Sequence, residues 1–344
     1  MTRFDQESQT ASVARRRTQP KQSGWRSELR EAFRSPTELL EHLGLDDARM
    51  NAASQPPFPM LVPRAFAGRI QPHQPRDPIL LQVIPDMDEH RDRPGYASDP
   101  VGDGVSRRAR GLLHKYSGRV LLITTGACAV HCRYCFRQDF PYAADIAASR
   151  NWADATAYID RHADVEEVIL SGGDPLMLTT RALESLTEQL KHIPHVRRLR
   201  LHTRLPIVLP SRVTERLCDW LSGLPFPVVI VVHANHAQEF DAEVDQALGR
   251  LRETGAHLLN QTVLLAGVND SADLLCDLMR RSLAAGVLPY YLHVLDRVRG
   301  AARFDCDRQQ ALQLHEHLRI QLSGYLVPRL VREEAGAPYK LPVL

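Results

Sequence analysis

The stretch GACAVHCRYCFR (126–137) places thiols at Cys128, Cys132 and Cys135, with no fourth cysteine close by. Thiolates grouped on one loop are ligands for soft metals and for iron–sulfur clusters. A [4Fe-4S] cubane held by three thiolates keeps one iron without a protein ligand. An open metal position is where a substrate binds, whereas a closed one is structural. Two plainer readings compete: a zinc loop completed by His131, and three unrelated thiols. The remaining cysteines, Cys218, Cys276 and Cys306, are scattered. Cys218 and Cys276 lie in helix-like stretches and read as buried structural thiols.

Such a loop needs elements to hold it. Short β-branched apolar runs occur at RVLLITT (119–125), EEVILSGG (166–173), VRRLRLHTR (196–204), PVVIVVHA (227–234), HLLNQTVLL (257–265) and PYYLHVL (289–295). Between them lie segments of helical period, such as TTRALESLTEQLKHI and DAEVDQALGRLRETG. Alternation of this kind predicts parallel strands joined by right-handed crossovers. Six units fall short of a closed eight-fold barrel, so the α/β fold expected is a partial, TIM-like (β/α)6 barrel. Chemistry in such folds gathers after the C-terminal ends of the strands. The cysteine loop follows the first run and falls at that mouth. The second run ends in Ser171-Gly172-Gly173-Asp174-Pro175, where glycines let backbone come close to a ligand.

The chain has 344 residues, 44% apolar and 24% charged, as in a soluble globular protein. A net charge of +2 selects no polyanionic partner, so neither nucleic acid nor membrane is expected. No signal-like apolar core opens the chain, and a cytoplasmic location with reduced thiols is expected. Residues 1–24 read as a disordered polar tail containing Arg15, Arg16 and Arg17. Residues 25–108 read as a mostly helical N-terminal region, with Ser35-Pro36-Thr37-Glu38 as a helix start. The barrel is expected over 109–300 and a C-terminal helix and terminal segment over 301–344. Lysine is scarce: Lys21, Lys115, Lys191 and Lys340 stand against thirty-nine arginines.

The C-x3-C-x2-C spacing, with Tyr134 before the last thiol, resembles the radical S-adenosylmethionine superfamily. There the open iron chelates the methionine part of the cofactor, which the cluster cleaves to a 5′-deoxyadenosyl radical. That resemblance implies that the Gly172–Gly173 turn receives the amino group of S-adenosylmethionine, with Asp174 as its acid. A narrower resemblance, to the lysine 2,3-aminomutase family, is carried by LLHKY (112–116), CRYCFRQDFPY (132–142), SGGDPL (171–176), LPIVLPSRVT (205–214), LNQTVLLAGVND (259–270), YYLHVLD (290–296) and SGYLVP (323–328). These stretches run in order from about residue 105 to the end, and they look most like the short bacterial branch that serves elongation factor P.

Membership would imply that pyridoxal phosphate holds the migrating nitrogen, with Lys340 as its covalent anchor and catalytic lysine. It would also imply Arg137 for the substrate carboxylate and Asp296 for the ε-ammonium of L-lysine. Arg119 and Gln261 match positions that touch pyridoxal phosphate, and His233 one beside S-adenosylmethionine. Implied partners are a reducing protein such as flavodoxin or ferredoxin and the lysyl ligase of elongation factor P, and the implied product is (R)-β-lysine. The chain departs from the longer family members at Glu333, where they carry a second ammonium-binding aspartate, and at Lys115, where they carry arginine. Alternatives from other classes are a radical enzyme on another amino acid, a radical activase without pyridoxal phosphate, and a non-catalytic metal-binding interaction protein.

Overall fold

The computed structural model describes residues 24–46, 51–53, 55–143, 145–150 and 152–344. The expected polar tail, with Arg15 to Arg17, lies outside the described residues apart from Gly24. One ten-stranded sheet runs in chain order from β1 to β10. The strands are β1 (Arg107–Ala109), β2 (Leu112–Tyr116), β3 (Arg119–Thr125), β4 (Glu167–Gly172), β5 (Arg198–Thr203), β6 (Val228–His233), β7 (His257–Val263), β8 (Leu288–His293), β9 (Arg329–Arg332) and β10 (Leu341–Pro342). Each step from β3 to β9 is parallel. β1 pairs with β2, β2 with β3 and β9 with β10 in antiparallel fashion.

Strands β3 to β8 coincide with the six apolar runs. Each is followed by helix, among them Ala153–Asp160, Thr180–Leu190, Glu215–Ser222, Ala242–Glu253, Ala272–Ala284 and Arg308–Gln321. The (β/α)6 expectation therefore holds, and β9 adds a seventh parallel strand. The helices start where short polar side chains can take an unpaired backbone N–H. Thr179, Thr214, Asp241, Ser271 and Asp307 each accept from the N–H three residues on. Helix Thr180–Leu190 buries Leu183, Leu186 and Leu190, spaced to lie on one face. β4 buries its first five residues, as a strand covered on both sides must.

The N-terminal region forms short helices Trp25–Arg30, Pro36–His42, Arg64–Ala67 and Pro78–Val83. Ser35 caps the second through the N–H of Glu38, with Pro36 in its first position. Phe33, Leu39, Leu40, Phe66, Ile79 and Leu80 belong to the same hydrophobic core as the barrel strands. This region is thus packed into the barrel. Among the described residues, no helix is long and apolar enough to cross a membrane.

Candidate active site

The cysteine loop leaves β3 and is tied down at both ends. Ala127 N–H is held by Thr125 Oγ1 at 3.1 Å, and Cys135 N–H bonds the Cys132 carbonyl at 3.1 Å. From the N-terminal region, the Leu61 carbonyl accepts from His131 N–H and the Gln82 carbonyl from Arg133 N–H, both at 2.9 Å. Arg133 is buried, pairs with Glu89 and donates to the Phe58 and Pro59 carbonyls at 2.9 and 3.0 Å. All three cysteines are free thiols facing one cavity of about 1030 Å³. Burial, followed by the neighbouring thiols, pushes Cys128 up, and it pushes Cys135 up to about 11. Such buried thiols ionise when a metal replaces the proton.

Among the described residues, no three His, Cys, Asp or Glu side chains converge on a single-ion geometry. A cubane suits the loop better, because its thiolates sit at separate corners. His131 is engaged elsewhere: its ring packs 5.0 Å from Phe58 and its Nδ1 lies 3.0 Å from the Pro59 carbonyl.

The Ser171–Asp174 turn lies against the start of this loop. Gly173 N–H bonds the Thr125 carbonyl at 2.7 Å, and Asp174 N–H the Ala127 carbonyl at 2.9 Å. A Cβ on Gly173 would stand 2.4 Å from the Ala127 carbonyl oxygen. One on Gly172, whose φ is +114°, would stand 2.7 Å from that of Thr125. Both glycines line the cavity, but the close approach that requires them is between the two loops.

Asp174 lines the cavity and is engaged by its own chain. Its carboxylate already accepts from Thr203 Oγ1 at 2.7 Å, Arg204 N–H at 2.7 Å, Leu176 N–H at 3.0 Å and Leu205 N–H at 3.2 Å. Burial pushes this carboxyl up against those donors. Asp174 therefore fixes the turn and the start of the segment after β5, with its lone pairs taken by this chain.

The other end of the cavity is charged. Lys340 precedes β10, and the β9–β10 hairpin, turning through Gly336 at φ +79°, folds it inward. A lysine this near the terminus would ordinarily be a frayed surface charge, yet its side chain is only 20% exposed. It pairs with Glu333, which also takes Lys115 at 2.8 Å. Lys115 reaches Asp103 at 2.6 Å, and Asp103 accepts from Arg137 Nε at 2.6 Å. Arg137 Nη1 donates to Ser171 Oγ at 3.2 Å. A continuous chain of charge thus links Lys340 to Arg137 and the glycine turn. Lys191, by contrast, pairs with Glu188 on the surface at 3.0 Å.

Two carboxyl groups near Lys340 are pushed in opposite directions. Burial, then the Glu333 charge, raises Asp296 to about 7, against the pull of Lys340 and Lys115. Burial would raise Glu333 too, but Lys340 and Lys115 overcome it and hold Glu333 well below the usual range. Asp103 is likewise held low: burial raises it, while Arg137 and Lys115 lower it. Carboxyl groups separated in this way are a mark of functional sites.

The remaining expected residues lie between the ends. Gln261 Nε2 donates to His233 Nε2 at 2.9 Å. Burial, then Arg204 and Lys340, pushes His233 down to about 3, so it is neutral. Arg119 stacks 4.7 Å over the Tyr116 ring. All twelve residues singled out from the sequence line this one cavity. His202 and His293 line it as well; burial keeps both neutral, and each has a buried Nε2 without a partner among the described residues. Unpaired buried nitrogens facing a space of this size suit a polar cofactor. Sequence reasoning missed Asp103, His202 and His293, and gave Lys115 no role.

A three-thiolate loop at the mouth of a partial (β/α) barrel, beside a glycine turn, defines a radical S-adenosylmethionine enzyme with a [4Fe-4S] cluster. Residues 117–199 match the 4Fe-4S single cluster domain. The chain is 44% identical over 327 residues to an L-lysine 2,3-aminomutase of Escherichia coli K12, covering 94% of this chain and 95% of that one. It is 41% identical to one from Haemophilus influenzae (93% and 95% covered) and 40% identical to one from Buchnera aphidicola (92% and 94% covered). The chain belongs to the lysine 2,3-aminomutase family and is an isomerase of that radical class.

Proposed function

We propose that this protein converts L-α-lysine to β-lysine, the R isomer, by a 1,2-shift of the amino group, and that it works in the cytoplasm. The observation that carries this reading is the meeting of three thiols, Lys340, Arg137 and Asp296 around one cavity. When bound, the cluster and S-adenosylmethionine supply a 5′-deoxyadenosyl radical, and pyridoxal phosphate supplies a carrier for the migrating nitrogen. The protein's part is aim and charge.

Arg137 has its Nε and Nη1 engaged by Asp103 and Ser171, which leaves Nη2 to orient the substrate carboxylate. Asp296 has no side-chain partner among the described residues, and burial raises it to about 7. A lysine ε-ammonium would supply the missing cation and draw the proton off it. Lys340 is the anchor for pyridoxal phosphate, with Arg119 and Gln261 toward the same cofactor and His233 toward S-adenosylmethionine. The backbone of Gly172 and Gly173 lies at the cluster end, where the amino group of S-adenosylmethionine would be received. Electrons would come from a flavodoxin- or ferredoxin-like protein, and the product would serve the lysyl ligase of elongation factor P.

The test is an anaerobic assay. Protein reconstituted with iron, sulfide and pyridoxal phosphate is given S-adenosylmethionine, reductant and L-lysine, and β-lysine is resolved by chiral chromatography. The expected result is (R)-β-lysine from the wild type, and none from Cys132→Ala or Lys340→Ala. Cleavage of S-adenosylmethionine without β-lysine would sink the substrate assignment.

A further inference from the structure

Behind Cys132 lies a buried polar network that neither the substrate reading nor the barrel core requires. Arg204, only 6% exposed, follows β5 and sends Nη1 to the Cys132 sulfur at 2.7 Å. Its Nη2 donates to Gln82 Oε1 at 2.7 Å and to Glu239 Oε2 at 2.9 Å. Glu239, fully buried, accepts on its other oxygen from Asn235 N–H at 2.8 Å, His236 N–H at 3.0 Å and Gln82 Nε2 at 3.1 Å. Asn235 Nδ2 reaches Gln82 Oε1 at 2.9 Å and the Tyr134 hydroxyl at 2.6 Å. The guanidinium also lies over the rings of Phe66, at 5.3 Å, and Tyr134, at 5.8 Å. Three elements of the barrel mouth and two helices of the N-terminal region thus fix a single cation against a single sulfur.

Burying an ion pair of this kind gives little net stability over well-packed apolar residues. Its function must lie in what the cation touches. We propose that Arg204 is a positioning residue for the iron–sulfur cluster: its N–H donor and positive charge at the Cys132 sulfur hold up the cluster's reduction potential. One-electron reduction adds negative charge to the cluster, carried partly on its sulfurs. A hydrogen bond and a cation at a ligand sulfur favour that reduced form. Gln82 and Glu239 keep the guanidinium in place, so the N-terminal region takes part in setting the potential.

The experiment uses the full chain with its cluster reconstituted anaerobically, without S-adenosylmethionine, lysine or pyridoxal phosphate. Wild type, Arg204→Gln, Arg204→Lys and Gln82→Leu are titrated with dithionite, following the reduced-cluster electron paramagnetic resonance signal. Arg204→Gln is expected to lower the reduction equilibrium constant at least about tenfold, a downward shift of about 59 mV for one electron. Arg204→Lys, which keeps the charge and loses the fork, is expected between that variant and the wild type. A wild-type midpoint in Arg204→Gln, with only thermal stability reduced, overturns the proposal; so does Arg204→Lys falling as far as Arg204→Gln. Should Arg204→Gln fail to load a cluster, Gln82→Leu decides, because it keeps the cation and removes one anchor. A downward shift there supports the proposal and an unchanged midpoint overturns it. No lysine chemistry is read, so the substrate assignment can fail while this result stands.

Discussion

The two ends of the cavity are built in different ways. At the cluster end, three thiols come from eight consecutive residues and are held by the glycine turn of the next strand and by two backbone contacts from the N-terminal region. At the lysine end, Lys340, Glu333, Lys115, Asp103 and Arg137 come from four separate stretches, and Lys115 and Glu333 are 218 residues apart. The first end is a motif with a local brace. The second is a line of alternating charges that exists only when the hairpin β9–β10, the hairpin β2–β3 and the cysteine loop are all in place. Damage should therefore stay local at the first end and spread at the second.

The sharpest break of that comparison comes from removing one group at each end. Cys132→Ala should lose the cluster's visible absorbance, cleavage of S-adenosylmethionine and β-lysine together. Lys340→Ala should keep the cluster spectrum and lose β-lysine with the pyridoxal phosphate absorbance. Retention of bound pyridoxal phosphate in Lys340→Ala would show that the anchor lies elsewhere.

Gly173→Ala sharpens the comparison at the cluster end. A Cβ 2.4 Å from the Ala127 carbonyl oxygen must push the two loops apart. Iron bound per chain should fall several-fold, while the charged end still takes pyridoxal phosphate.

Glu333→Gln sharpens it at the other end. Removing one partner of a largely buried ion pair leaves uncompensated charge, and costs about 3–5 kcal/mol where the pair is deeply buried. The neutral isostere, with Glu333 still 11% exposed, should fall at or below the low end of that range. Glu333 has a folded value below its unfolded one, so its contribution is present above about pH 4.3. It is lost as pH falls through the lower, folded value. The gap in melting temperature between wild type and Glu333→Gln should therefore be widest near pH 7 and close in acid.

A titration tests the comparison at the group beside Glu333. On the proposed reading Asp296 takes the substrate ammonium when ionised, and its value near 7 puts that change in the working range. The wild-type kcat/KM for lysine should fall as pH drops below about 7. Asp296→Asn should be roughly tenfold or more weaker and should lack that acid limb. A limb unchanged in Asp296→Asn would remove Asp296 from ammonium binding.

Much of the framework was open to reading in the sequence. The run 119–125 is β3 to the residue, and the other five runs match β4 to β8 within a residue or two at each end. β9 was not readable, because Arg329–Arg332 has two apolar residues between exposed arginines. It acquires its place only by pairing with β8. Asp103 sits in a glycine-bearing stretch that reads as an ordinary turn, and His202 and His293 read as strand residues facing a core. The one local signal for Lys115 was the rarity of lysine in this chain. Asp174 shows the converse: its motif is plain in the sequence, but only the fold reveals that Thr203 and the backbone after β5 engage its carboxylate.

The sequence by itself determined the order of strands and helices, the cysteine spacing, and which residue types stand at the strand ends. Those depend on period, branching and short-range backbone geometry, which neighbours in the chain dictate. Tertiary structure alone decided which charges pair and which groups keep their protons. Glu333 and Asp296 are carboxyl groups with nearly the same intrinsic acidity. One is held ionised by two ammonium groups, while burial and the neighbouring Glu333 charge raise the other to about 7. Solvent exclusion and distance set that difference, and both exist only once the chain has closed around the cavity.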